Sequence, residues 1–209
     1  MLTAAFGGDA RADDVVGAFE LGVRHEPLKR LKLGVGAQVR LDDFSRVESL
    51  LPEAQISYEP WKKHLTLGTG YRLIYQRDDQ DYFEVAHRVH VQAAFSFQVA
   101  RHAKLKYRLR LQDRLVRTEG EPTDHQPRLR NALELSGWAW SIATPFVSVE
   151  HYLALDRLSD DPTRRWRFML GLQHDLGWAG LELYYRYDLR VNDNDPDRHM
   201  IGVGMQWEL

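Results

Sequence analysis

From Lys104 to Arg117 the chain reads KLKYRLRLQDRLVR, with Lys106, Arg108 and Arg110 separated by single apolar residues. A guanidinium is a planar, permanently charged fork that pairs bidentately with carboxylate or phosphate. Several on one line make a track for an anion, and charged rings of this kind select ions in pores. The same groups can instead pair with carboxylates on neighbouring strands and fill an interior, because buried charges need partners. Arg114, Arg128, Arg130, Arg165, Arg167 and Arg186 continue the basic pattern, and Arg72 and Arg88 precede it. Glu134, Glu150 and Glu182, together with Glu20, Glu53 and Asp188, fall on the same parity. Spacing alone leaves both outcomes open. Arg108, Arg110, Arg128 and Arg130 are the expected surplus once the carboxylates are matched.

Catalytic chemistry has weaker support. Ser148 and His151 differ by three, so they point to opposite sides of a strand and do not form a nucleophile and base. His87 and His90 fail as a metal pair for the same reason. There is no His-Glu-x-x-His and no phosphate loop. The run NDNDPD at 192–197 lacks the glycine and distal glutamate of a calcium-binding hand. The chain has no cysteine, which removes disulfides, thiolate metal sites and thiol nucleophiles. The expectation is a protein that is not an enzyme and carries no cofactor.

The elements that must hold the charged groups are strands. Apolar residues recur at every second position: Val15, Phe19, Leu21 and Val23; Leu33, Val35 and Val39; Ala54, Ile56 and Tyr58; Leu67, Tyr71 and Leu73; Val89, Val91, Phe95 and Phe97. The pattern continues through Leu105–Leu111, Leu129–Leu135, Val147–Leu155, Trp166–Leu172, Leu181–Leu189 and Ile201–Leu209. Eleven strands are clear. A strand of about 12 residues spans roughly 40 Å, and at about 45° of tilt it matches a membrane core. Short connections around Glu26–Arg30, Glu59–Lys63, Arg101–Ala103, Ser141–Thr144 and Leu176–Ala179 alternate with five longer polar ones. The longer ones are Asp42–Arg46, Arg77–Tyr82, Arg117–Gln126, Asp156–Arg164 and Val191–Arg198. Short turns at one end and longer loops at the other are the habit of outer-membrane barrels. A barrel that starts at the short-turn end needs one more strand, and Leu2–Gly7 is the candidate. The expected fold is therefore an all-β, antiparallel, up-and-down transmembrane barrel of twelve strands, a single domain over residues 1–209.

Alternation does not say which face is wet. The bulk does: Leu, Val, Phe and Tyr dominate one parity, while the other mixes Arg and Glu with glycines. Turned inward, the apolar set would need a very wide filled core; turned outward, it needs only lipid. Tryptophans also gather near strand ends. Trp61, Trp138, Trp140, Trp178 and Trp207 fall near the short-turn end and Trp166 near the other, as expected of two interface girdles. On this reading Arg72, Arg88, Lys106, Arg108, Arg110, Arg114, Arg128, Arg130, Arg165, Arg167, Arg186, Glu134, Glu150 and Glu182 line the interior. His87, Asn131, His151 and His174 break the apolar parity, and for His151 the sequence offers no reason.

Composition sets outer bounds. The net charge of -2 gives no basic field for nucleic acid. No apolar run approaches the roughly 18 residues of a membrane helix. No secretory leader is visible, so an exported protein is expected to have lost its leader already.

The layout resembles two families of bacterial outer-membrane barrels. One is the twelve-stranded porin family specific for acidic oligosaccharides, the oligogalacturonate and sialic acid channels. It shares the length, a KLKYRLRL-type strand, a YYRYDLR-type strand and an ending such as RHMIGVGMQWEL. That resemblance implies pore roles for Arg108, Arg110, Arg130 and Arg186. The other is a family of uncharacterised barrels known only as a domain of unknown function. Its GYR strand followed by RxR strands looks like Gly70–Arg72, Arg108–Arg110 and Arg128–Arg130. The many interior carboxylates depart from the porin pattern. The expected function is passive diffusion of small anionic solutes, such as acidic oligosaccharides, across the bacterial outer membrane. The alternative is a closed, salt-bridge-filled barrel serving as a structural or partner-binding subunit of an envelope complex. Expected partners are membrane lipid and lipopolysaccharide, an anionic solute and an envelope protein.

Overall fold

The computed structural model describes residues 14–77, 83–117, 123–137, 143–155, 163–191 and 197–209. These form eleven strands: β1 Asp14–Leu28, β2 Leu31–Asp42, β3 Arg46–Trp61, β4 Leu65–Arg77, β5 Phe83–Ala100 and β6 Ala103–Val116. Then follow β7 Asp124–Gly137, β8 Thr144–Ala154, β9 Thr163–Asp175, β10 Ala179–Arg190 and β11 Arg198–Glu208. Each strand pairs with the next in antiparallel fashion, and β1 closes the ring against β11. Closure satisfies every edge, which no open sheet does.

The ring of described strands differs from the expectation in strand number and at its seam. An up-and-down ring with an odd number of strands must contain one parallel seam. Here β1 and β11 run parallel from Asp14↔Arg198 to Arg24↔Glu208, so the barrel is not antiparallel throughout. The expected strand Leu2–Gly7 lies outside the described residues, and the eleven strands close without it. The connection expected to be long at Asp42–Arg46 is a three-residue turn, with Asp43 and Phe44 at positive φ. β3 carries a bulge at Glu48, where Arg40 pairs with Ser49 but Leu41 with Val47.

The two faces separate by chemistry. Leu21, Val35, Val91 and Leu170 are each more than half exposed, and all lie on the outer wall. The inner wall holds the buried charges: Arg130, Glu150, Arg186 and Asp188 are among its most enclosed residues. Apolar residues inside are few and grouped. Val16, Ala18, Phe146, Tyr184 and Met200 pack together with Met169, and Leu51, Ile74 and Ala86 form a second patch. Large inner side chains lie flat against the wall where the next strand offers a glycine. Tyr184 covers Gly202 and Phe146 covers Gly171.

Polar residues on the outer wall have partners. His151 stacks on Trp166 across the β8–β9 pair at 4.1 Å, which supplies the reason the sequence did not. Tyr71 Oη lies 2.6 Å from His87 Nδ1, and Tyr107 donates to Asn131 at 2.9 Å.

Candidate functional site

Eight strands make a barrel that side chains just fill, and sixteen to eighteen leave a wide channel. Eleven strands fall between. The interior here holds a space of about 1240 Å³ towards the long-loop end and another of about 690 Å³ towards the short-turn end. The two linings share Glu20, Gln38, Arg72, Glu182 and Tyr184.

The larger space is strongly cationic. Seventeen Lys and Arg residues line it against eight Asp and Glu. A chain of net charge -2 therefore conceals a positive interior. The lining includes Arg72, Arg88, Lys106, Arg108, Arg110, Arg114, Arg128 and Arg130, and also Arg165, Arg167, Arg186, Glu134, Glu150 and Glu182. Strand alternation puts them there: Lys106, Arg108, Arg110 and Arg114 come from one face of β6, and Arg128 and Arg130 from the matching face of β7.

Two buried carboxylates organise one side. Glu150 on β8 accepts from Arg130 at 2.7 and 3.1 Å and from Arg108 at 3.0 Å. Arg167 approaches it at 3.5 Å, and Tyr152 Oη donates to it at 2.7 Å. Asp188 on β10 accepts from Arg167 at 2.7 and 3.0 Å and from Arg165 at 3.3 Å, with Arg186 Nε also 3.3 Å away. Arg130, Arg165 and Arg167 crowd the Tyr152 ring, with Arg130 4.5 Å from its centroid. The result is one continuous cluster of five arginines, two carboxylates and a tyrosine. At the long-loop mouth Arg198 bridges Asp14 at 2.7 Å and Glu48 at 2.8 Å, tying the β1–β11 seam to the bulge.

The other side is unbalanced. Arg72 pairs with Glu53. Next to it in register come Arg88 and then Arg114, so three arginines stand in a row across β4, β5 and β6. Like charges directly opposite are unfavourable. Arg88 and Arg114 have no carboxylate partner among the described residues, and their Nε atoms are buried without a hydrogen bond. Arg110 faces Arg130 and bonds only to the neutral Gln92, at 2.6 and 3.0 Å. Arg40 bonds to Gln38 at 3.0 Å. The expected surplus is thus corrected in part. Arg108 and Arg130 are held by Glu150 and Arg128 is partnered, whereas Arg88, Arg114, Arg110 and Arg40 lack a carboxylate. Register decides which arginine meets which carboxylate, and spacing within a strand does not carry register.

The acidic residues also divide. Glu20 accepts only neutral donors, Gln38 at 2.5 Å and Tyr184 at 2.6 Å, and Glu182 accepts from Gln173 at 3.0 Å. Glu134 stands opposite Lys106 in register without a bond between them. Among the described residues no three His, Asp or Glu side chains gather as a metal-binding group. Trp61, Trp178 and Trp207 lie at the short-turn end and Trp166 near the long-loop end, while Trp138 and Trp140 lie outside the described residues.

The inward apolar patches were missed by the sequence reading. A signal was present: Val15–Val16, Leu50–Leu51, Leu73–Ile74 and Phe168–Met169 are consecutive apolar pairs, so one member of each must face inward. Tyr152–Leu153 and Tyr184–Tyr185 carry the same signal.

No curated protein matches the chain. A family model described as a protein of unknown function, DUF2490, matches residues 19–200, from within β1 to within β11. The match spans the whole set of strands that builds the cationic interior, and the chain belongs to the DUF2490 family.

Proposed function

We propose that the barrel crosses the bacterial outer membrane and passes small anionic solutes through its arginine-rich interior. The observation that carries this reading is the row Arg72, Arg88 and Arg114 beside the Arg110–Arg130 pair. A barrel built only for stability would place carboxylates opposite these arginines. Leaving guanidiniums side by side costs folding energy that an anionic visitor returns. The apolar outer wall supports membrane placement, because so much exposed Leu, Val and Phe is uncommon on a protein surface in water. Trp61, Trp178 and Trp207 at one end and Trp166 near the other fit the two headgroup layers. Lipid and lipopolysaccharide are then the outer partners. The likeness to the acidic-oligosaccharide porins makes uronates and sialic acids the first solutes to try.

A second reading has its own support. The Glu150–Asp188 cluster fills one side of the interior with paired charge, as a closed structural barrel would. The closed barrel is the envelope-complex subunit of the alternative. Liposome swelling separates the two. Vesicles containing the purified protein should swell faster in galacturonate than in galactose or glucosamine. Equal, protein-independent rates for all three would favour the closed barrel.

A further inference from the structure

The charged groups left without an opposite partner are segregated. On β10 the inward ladder runs Arg186, Tyr184, Glu182, and on β2 it runs Arg40, Gln38. Arg40 lines the larger space and bonds only to the neutral Gln38, whereas Arg186 is already held by Asp188 at 3.3 Å. Glu182 lies four residues below Arg186, and Glu20 stands across Gly204 from Glu182. A Cβ on Gly204 would be 3.7 Å from that of Glu20 and 3.8 Å from that of Glu182, so the glycine keeps the space between the two carboxylates clear. Tyr184 and Gln38 separate the levels, and both hold Glu20 by neutral hydrogen bonds. Arg40 stands two residues above Gln38, which is paired in register with Glu20. Two residues along a strand are about 7 Å.

We infer that the level shared by the two spaces is a binding site for a short dipolar solute, its carboxylate held by Arg40 and its ammonium by Glu20 and Glu182. This rests on the anion-channel reading for the carboxylate end and adds the cationic end. The termini of an extended dipeptide are separated by about 7 Å, whereas those of a single α-amino acid are much closer. A dipeptide with both termini free is therefore the chemistry that fits. Each terminus contributes charge-assisted hydrogen bonds, so blocking either one should weaken binding roughly tenfold or more.

Isothermal titration of the detergent-purified barrel with Ala-Ala, N-acetyl-Ala-Ala and Ala-Ala amide tests this without requiring an open path. The expected result is that free Ala-Ala binds and both blocked forms bind at least about tenfold more weakly. The double variant Glu20→Gln and Glu182→Gln, checked for heat-modifiable mobility, should lose the preference for the free amine while still binding the N-acetyl form. Equal binding of Ala-Ala and N-acetyl-Ala-Ala by the natural sequence would overturn the dipolar site. So would absence of any peptide binding in a protein that still carries anion-selective current, and the channel reading would then survive. Binding of free Ala-Ala by a protein that conducts nothing would uphold the site and remove the channel.

Discussion

Replacing Glu150 by Gln keeps the shape of the side chain and removes one negative charge from the centre of the cluster. Glu150 accepts from Arg130 twice, from Arg108 once and from Tyr152, and has Arg167 at 3.5 Å. Its side chain is 5% exposed and that of Arg130 is 9% exposed, so water does little to screen the pair. Arg167 keeps Asp188 after the change, but Arg108 and Arg130 lose their carboxylate. The glutamine amide would also place donors among guanidinium donors. Removing one partner of a buried pair costs about 3–5 kcal/mol. Urea unfolding in lipid vesicles, followed by tryptophan fluorescence and by heat-modified mobility, should show a loss within that range. A loss below about 1 kcal/mol, the level of an exposed pair, would refute the buried-cluster description.

Arg88→Gln combined with Arg114→Gln should do the opposite to stability. It removes a like-charged row, so urea unfolding should be unchanged or later by up to about 1 kcal/mol, while anion preference in vesicle flux falls. Gly202→Ala puts a Cβ into the Tyr184 ring; the same unfolding assay should show a loss of about 1–3 kcal/mol from overpacking. Val91→Arg places a charge on the outer wall, where Val91 is 54% exposed, and refolding into bilayers should weaken by about 2–4 kcal/mol if that wall meets lipid. Single-tryptophan variants retaining Trp61 or Trp178 should be quenched by lipids brominated near the headgroup more than by lipids brominated near the bilayer centre.

Face was legible in the sequence and pairing was not. Strict alternation in Lys104–Leu111 puts Lys106, Arg108 and Arg110 on one wall, and β6 does so. The carboxylate that holds Arg108 sits on β8, two strands away, and no spacing within β6 points to it. Consecutive Leu50 and Leu51 followed by Pro52 hid the first part of β3, although its register from Ser49 to Tyr58 is unbroken. His151 looked misplaced until Trp166 came beside it through the β8–β9 register. Strand number was the hardest to read. Parity of chain direction asked for an even ring, and a parallel β1–β11 seam met the closure requirement with eleven.

The central claim is that the interior conducts anions. Single-channel recording of the purified protein in a planar bilayer, with potassium chloride tenfold more concentrated on one side, tests it directly. An anion-conducting interior gives steady current steps whose reversal potential has the sign set by chloride, moving towards zero in the Arg88→Gln and Arg114→Gln variant. Silence from well-inserted, heat-modifiable protein, or a reversal potential set by potassium, would contradict it.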